Sequence, residues 1–193
     1  MQQPDNYNYK RFDRSTSLEK ANLVGSLFGL IPAIILIVGH LLYNGEFTLT
    51  FNPNDWFGII LLIIIVIGGV LVHELLHVIG WMLAGRVSLS AMKLGFDRKT
   101  LSPYAHICQA LPINAYRFGT ILPAIVLGLL PGLIGIVNNL PPYTTFGAFF
   151  TLAAGGDILV LWLLRRDPAR ALVIDHSDRV GCEVLIPSES NSR

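Results

Sequence analysis

Residues 72–80 read VHELLHVIG and lie inside a long apolar run that begins near Phe57. In an α-helix, residues four positions apart lie on one face, one turn above the other. His73 and His77 can therefore present two imidazole nitrogens to one zinc ion, with Glu74 beside the open coordination position as a general base. The alternative is that these residues only hydrogen-bond within a helix bundle. Because unpaired polar groups in an apolar helix are costly, we favour a metal site.

The composition indicates an integral membrane protein. Of the 193 residues, 52% are hydrophobic and 14% are charged, against about 25% charged in a typical soluble domain. Mean hydropathy is +0.56, and the net charge of +1 offers no basic surplus for nucleic acid. The two cysteines lack metal-ligand spacing and are interpreted as free thiols. The first apolar segment is interpreted as a retained span and not as a removed signal peptide.

Apolar stretches and turn signals predict an α-helical integral membrane protein with about four transmembrane helices. Alternation of apolar and polar residues on both sides of a turn predicts a β-hairpin between the second and third helices. A small strand is predicted at residues 47–51, and strand-like segments at 171–174 and 182–186. The predicted organisation is one membrane-embedded domain, residues 1–193, with spans at about 23–43, 57–82, 118–137 and 146–164, a hairpin insert at 85–116 and a short polar C-terminal tail at 165–193.

Loop charges predict the orientation in the membrane. Lys and Arg are absent from residues 44–56 and 138–145. They are present in the N-terminal tail, in residues 85–117 and directly after the fourth span. Because Lys and Arg in short loops remain on the cytoplasmic side, both termini and the hairpin are predicted to be cytoplasmic.

Depth in the membrane indicates Asp157 as a third metal ligand, since catalytic zinc usually takes three protein ligands. His73 and His77 lie nine and five residues from the predicted cytoplasmic end of the second span. Asp157 lies seven residues from the predicted cytoplasmic end of the fourth span, which runs parallel to the second. At the rise of an α-helix these depths agree within one turn. The alternative is that Asp157 bonds a neighbouring helix or caps a break at Gly155–Gly156.

Other candidate ligands fit less well. A third histidine six residues after the second, as in metzincins, would fall on Leu83. The next glutamate after the motif is Glu183. Asp97 and His106 lie in the predicted hairpin, which positions a ligand less rigidly than a helix. His40 lies near the opposite membrane face and is interpreted as an interfacial or helix-contact residue.

With its His-Glu-x-x-His run in the second span and Gly156-Asp157 in the fourth, the chain resembles the site-2-protease-like membrane zinc metallopeptidases. More narrowly, it resembles the small bacterial zincin peptidase family known as DUF3267. The resemblance covers most of the chain and implies that His73, His77 and Asp157 bind zinc and that Glu74 is the base. Further residues that carry it are Gly80 after the motif, Pro112 to Arg117 before the third span, Pro123 within it, and Asp175 and Gly181 in the tail.

The function expected from this resemblance is that of a zinc-dependent membrane-embedded endopeptidase. It would hydrolyse membrane-associated protein or peptide substrates near the cytoplasmic face of a bacterial plasma membrane. The hairpin could hold an extended substrate by strand addition, or it could simply cover the site. The alternative function is a catalytically inactive metal-binding protein, a scaffold or pseudoprotease. A transporter is disfavoured because the chain has no internal repeat.

Overall fold

The structure, a computed structural model, describes residues 9–50, 52, 54–97, 102–176 and 179–188. Its helices are α1 (Leu18–Asn44), α2 (Trp56–Gly85), α3 (Ile113–Pro123), α4 (Leu130–Val137), α5 (Pro141–Ala153) and α6 (Gly155–Leu164). A 3₁₀ turn occupies Leu89–Ala91, and a π-helical turn, Ala124–Leu129, joins α3 to α4. The strands are β1 (Tyr9–Thr16), β2 (Met92–Asp97), β3 (Ser102–Ile107), β4 (Leu111–Pro112), β5 (Leu172–Asp175) and β6 (Val180–Pro187).

Three helices of the described chain are long and apolar enough to cross a membrane: α1, α2 and the continuous helix Ile113–Val137. The pair α5 and α6 qualifies as a fourth, broken span that bends by 49°. The prediction of a mostly helical membrane protein is confirmed. The fourth span, predicted as one helix at residues 146–164, is two helices, because the chain leaves α5 at Ala154 and begins α6 at Gly155.

Helix α2 is buried along one face in its second half. The buried positions recur every three or four residues, which places them on a single face. Other side chains of this helix, such as those of Ile64 and Leu71, are exposed. Exposed apolar side chains over this length are expected of a lipid-facing surface. The buried residues are Gly69, His73, His77, Val78, Gly80 and Trp81.

Glycines allow close contact at two helix crossings. A Cβ atom on Gly80 of α2 would lie 2.5 Å from the Cα atom of Gly119 in α3. A Cβ atom on Gly155 of α6 would overlap the carbonyl oxygen of Gly25 in α1. Small residues at such positions let two helix backbones approach each other in a membrane protein. These contacts hold together four helices that surround the candidate site.

The two ends of the described chain meet in one antiparallel sheet with the order β1-β6-β5-β4. β1 pairs with β6 along its whole length, and β6 pairs on its other side with β5. The prediction of strand-like segments near residues 171–174 and 182–186 is confirmed. Residues 165–193, predicted as a short polar C-terminal tail, contain these two strands, and β6 pairs with the N-terminal segment. Pairing between such distant segments leaves no local pattern in the sequence.

The predicted hairpin between the second and third spans is present as β2 and β3. Its antiparallel register places Lys93 opposite His106 and Gly95 opposite Tyr104. The connecting residues 98–101 lie outside the described residues. The hairpin is shorter than the insert predicted at 85–116, because a 3₁₀ turn precedes it and α3 already begins at Ile113.

The prediction of a small strand at residues 47–51 is wrong for the residues of this segment that the structure describes. Residues 46–50 are irregular, and Phe51 lies outside the described residues. The ring of Phe47 packs edge-on against His40, with ring centroids 4.9 Å apart. Residues 46–50 therefore contact the end of α1 through Phe47 and pair with no strand of the described structure.

A hydrophobic core joins the sheets to the ends of the helices. It contains side chains from α2, α3 and α6 together with side chains from four strands and the connecting segments. One of its members, Trp81, stacks on His77, so the sheet and the candidate site share one packed interior. The members are Trp81, Ile107, Leu111, Ile113, Ala115, Tyr116, Val160, Leu164, Ala171, Val173, Cys182 and Val184.

A buried ion pair ties β1 to the end of α6. Arg14 donates from Nε and Nη2 to the two carboxylate oxygens of Asp167, at 2.9 Å each. The side chain of Asp167 is only 3% exposed, and its hydrogen bonds raise the pKa of Arg14. Arg117 of α3 also donates to the backbone carbonyls of Leu164 and Asp167. Asp167 thus connects the sheet, α3 and α6.

The first prediction concerns this ion pair. Asp167→Asn is expected to lower the free energy of unfolding by about 1–3 kcal/mol, because it leaves the Arg14 guanidinium without its charged partner. Thermal unfolding of the full chain in detergent micelles measures the loss. Glu183→Gln is the matched control on the same sheet. Its partner is Arg11, and the two side chains are 37% and 61% exposed, so its effect should stay below about 1 kcal/mol. Equal losses for both variants would contradict this assignment.

The second prediction concerns the α2–α3 crossing. Gly80→Ala is expected to destabilise the protein by about 1–3 kcal/mol, because the added methyl group forces the helix backbones apart. Gly68→Ala, also in α2, is the control: a Cβ atom there meets nothing within 4 Å of the described structure. Since alanine favours a helix over glycine, Gly68→Ala should be neutral or stabilising. Thermal unfolding in detergent compares the two, and a tolerated Gly80→Ala would rule out a tight crossing.

Candidate metal centre

Three side chains converge between α2 and α6. His73 and His77 lie one turn apart on α2, with ring centroids 5.0 Å apart. The Nε2 atom of His73 is 3.1 Å from Oδ2 of Asp157, and the Nε2 atom of His77 is 3.3 Å from Oδ1 of the same carboxylate. One ligand atom of each residue lies within 4.8 Å of the other two. The structure therefore brings together the three residues that the sequence analysis proposed as ligands.

The orientation of His77 is set by its surroundings. Its Nδ1 atom lies 2.9 Å from the carbonyl oxygen of Gly119, to which it donates a hydrogen bond. The Trp81 ring stacks on it, with an interplanar angle of 17° and centroids 5.5 Å apart. A histidine whose Nδ1–H is bound to a carbonyl directs its Nε2 lone pair at the site, as metal-binding histidines do.

Asp157 reaches the histidines because of the break between α5 and α6. The bend of 49° starts α6 at Gly155, and Asp157 lies in its first turn. The positive end of the helix dipole favours a carboxylate there. Gly155 packs tightly against α1, whereas a Cβ atom on Gly156 would meet nothing within 4 Å of the described structure. The chain at Gly156 therefore leaves open space beside the carboxylate, where it borders the cavity described below.

Glu74 lies outside the cluster but close to it. Its position one residue after His73 rotates it about 100° around the helix axis, toward β3 of the hairpin. The backbone of Ala105 in β3 lies near its carboxylate. Glu74 also borders a cavity of about 910 Å³, which His73, His77 and Asp157 border as well. This volume is in the range of natural ligand sites, which span roughly 300–1,000 Å³.

A second polar group lies in the wall of this cavity; from the sequence, Asp175 entered only through the family resemblance and His106 only as a weaker candidate ligand. Asp175, at the end of β5, accepts hydrogen bonds from the Tyr116 hydroxyl (2.6 Å) and the Ile107 amide (2.9 Å). The Nδ1 atom of His106 is 3.5 Å from the same carboxylate. Burial raises the pKa of Asp175, while the bonds from Tyr116 and Ile107 act to lower it. The signal available in the sequence was an acidic residue at the end of a short apolar strand. Its partners could not be predicted, because they are far away in sequence.

The other candidate ligands lie outside the cluster, although His106 borders the same cavity. Leu83, which occupies the position of a metzincin third histidine, is 71% exposed, and Glu183 pairs with Arg11. His40 is fully buried and makes helix contacts, with Nδ1 2.7 Å from Oγ1 of Thr144, which agrees with its interpretation as a helix-contact histidine. The side chain of Asp97 lies outside the described residues. Among the residues described, His73, His77 and Asp157 form the one group of three His, Cys, Asp or Glu side chains close enough to share an ion.

One family model matches the part of the chain that contains this cluster. The model of the DUF3267 family, described as "Putative zincin peptidase", matches residues 66–172. No curated protein and no solved structure matches the chain. The matched range covers more than half of the chain and includes all four site residues, His73, Glu74, His77 and Asp157. The chain therefore belongs to the DUF3267 family of zincin peptidases.

Proposed function

We propose that this protein is a zinc-dependent endopeptidase of the membrane, similar in type to the site-2 proteases. His73, His77 and Asp157 would hold the zinc ion, and Glu74 would be the general base. The observation that carries the proposal is the convergence of two imidazole nitrogens and a carboxylate within 4.8 Å in a largely apolar helix bundle. Membership of a zincin peptidase family supports the same activity.

The donor chemistry of the cluster fits a cation. Since Nδ1 of His77 donates its hydrogen to Gly119, a neutral His77 has a bare lone pair on Nε2. That lone pair lies 3.3 Å from a carboxylate oxygen of Asp157, and two acceptors repel each other at this distance. A positive charge between them removes the repulsion. Two histidines and one carboxylate are a common set of protein ligands for catalytic zinc.

Hydrolysis then depends on Glu74. Zinc held by such a set acts as a Lewis acid that polarises a carbonyl group and lowers the pKa of water to about 7. Glu74 would accept a proton from the attacking water and deliver it to the leaving amine. Glu74 borders the same cavity as the three proposed metal ligands, which supports this role.

The cavity supports a peptide as the substrate. It extends from the metal ligands along the hairpin to the four-stranded sheet. In the described structure, β2 and β3 pair only with each other, so each has one edge outside the ladder. An extended segment of a membrane-associated protein could add to such an edge, which supplies main-chain hydrogen bonds independent of sequence.

The fold supports one orientation in the membrane. β1 precedes α1, β6 follows α6, and the two strands pair, so both ends of the described chain lie on the same side of the helices. Lys and Arg are concentrated in the segments on that side. Under the positive-inside rule this side is cytoplasmic, and the site would then open toward the cytoplasmic face of a bacterial plasma membrane.

The third prediction concerns the metal. Protein purified in detergent is expected to contain about one zinc ion per chain, as other three-ligand zinc sites do. His77→Ala and Asp157→Ala should each remove most of it, because a ligand set of two binds weakly. His40→Gln is the control, since His40 bonds to Thr144 and Asn139 and takes no part in the cluster. Elemental analysis of folded protein measures the content. Unchanged zinc in His77→Ala would refute the site.

The fourth prediction separates catalysis from metal binding. Glu74→Gln is expected to retain zinc and to lose cleavage by about a hundredfold or more, because the amide cannot accept the proton. Mass spectrometry of new amino termini in membrane proteins, from cells producing each variant, measures cleavage without a known substrate. Glu183→Gln controls for loss of a carboxylate far from the cluster. Full function with Glu74→Gln would instead support the pseudoprotease alternative.

A further inference from the structure

His106 and Asp175 form a pair that the metal site does not use. The Nδ1 atom of His106 lies 3.5 Å from Oδ2 of Asp175. The carboxylate is itself held on two sides, by the hydroxyl of Tyr116 at 2.6 Å and by the amide of Ile107 at 2.9 Å. An acid with this many partners has one fixed position. It can therefore fix the orientation of an imidazole beside it.

The pair belongs to the same cavity as the metal cluster. His106 and Asp175 border it together with Glu74 and His77. The backbone of Ala105, the residue before His106, lies near the Glu74 carboxylate. β3 therefore runs past the general base and presents His106 at the next position. The side chain of His106 is 27% exposed, which makes it accessible to a molecule in the cavity.

A stack of rings connects Asp175 to a metal ligand. Tyr116 donates to Asp175 and stacks on Trp81, with an interplanar angle of 13° and ring centroids 5.7 Å apart. Trp81 in turn stacks on His77. Trp81 and Tyr116 are packed in the common core, so the position of Asp175 is set relative to the metal cluster and not only relative to the sheet.

The chemistry of the pair suits a hydrogen-bond donor. A protonated imidazole donates from both nitrogens. With Nδ1 facing Asp175, Nε2 is the nitrogen left for a ligand, and it has no hydrogen-bond partner among the side chains that the structure describes. A side chain that is oriented by a third group is the usual arrangement of residues that act on substrate.

We infer that His106, positioned by Asp175, donates a hydrogen bond from Nε2 to the carbonyl oxygen of the scissile peptide bond. This inference rests on the proposed peptidase function. As the water oxygen bonds to the carbonyl carbon, its proton passes to Glu74 and the C=O electron pair moves to the oxygen that His106 contacts. When the C–N bond breaks, the electron pair returns to re-form the C=O bond, and Glu74 delivers the proton to the amine. His106 is then a catalytic residue and Asp175 a positioning residue.

Two probes test this with the zinc-loaded full chain in detergent. N-phosphoryl-Leu-Phe carries tetrahedral oxygens that imitate the intermediate, whereas mercaptoacetyl-Leu-Phe binds zinc through sulfur and lacks those oxygens. His106→Ala is expected to lower the affinity for the phosphoryl probe by about a hundredfold, which is the usual effect of removing one such hydrogen-bond donor. The affinity for the thiol probe and the zinc content should change by less than about twofold, well below the loss expected for the phosphoryl probe.

Two further variants and a control sharpen the test. His106→Gln keeps an N–H donor near the position of Nε2 and should restore part of the phosphoryl affinity. Asp175→Asn should weaken the same probe selectively, provided that its zinc content shows that it folds. Arg11→Gln removes a positive charge whose partner is Glu183, at a position that does not border the cavity, and should leave the affinity for both probes unchanged.

The outcomes are distinguishable. Equal weakening of both probes by His106→Ala, or no weakening of either, overturns the role of His106 while zinc binding and the proposed function stand. A zinc-loaded wild-type protein that binds the thiol but not the phosphoryl probe also overturns it. A wild-type protein without stoichiometric zinc overturns the proposed function itself.

Discussion

The contact of one carboxylate with two histidines across α2 and α6 is the interaction on which the rest of this structure depends. Polar groups among apolar helices are stable only if they find partners. Asp157 lies 3.1 Å from His73 and 3.3 Å from His77, and the Gly119 carbonyl satisfies the remaining nitrogen of His77. That carbonyl is available because Gly80 and Gly119 let α2 and α3 approach so closely. The glycine contact thus serves the site as well as the helix packing.

The position of Asp157 also depends on the break between α5 and α6. A straight helix through residues 141–164 would carry Asp157 within a continuous hydrogen-bonded run, whereas the bend of 49° places it in the first turn of α6. Irregular backbone at this depth is tolerated where it is covered by protein or borders a polar cavity. Here Gly155 is covered by α1, and Gly156 borders the cavity. The break in the helix is therefore tolerated, because one of its glycines is covered by protein and the other borders the cavity.

The sheets connect the site to the ends of the chain. Strands from both ends pair with each other, and Asp167 joins this sheet to the helices through Arg14 and Arg117. The core below the sheet includes Trp81 and Tyr116, whose rings stack on each other, and Trp81 also stacks on His77. Strand β6 and the ring stack beside His77 therefore share one packed core.

Sequence alone determined the parts of this protein that depend on local spacing or on composition. The spacing of His73 and His77 places both on one helix face, and hydropathy identifies the spans, because both effects act within a single element. Comparison of depths in the membrane added Asp157 as a candidate ligand, since residues equally far from the same end of two parallel helices lie at about the same depth. The tertiary structure decided the rest: the bend before Asp157, the sheet formed by both ends, and the group of His106, Tyr116 and Asp175. These depend on contacts between residues far apart in sequence, and no local period or propensity encodes such contacts.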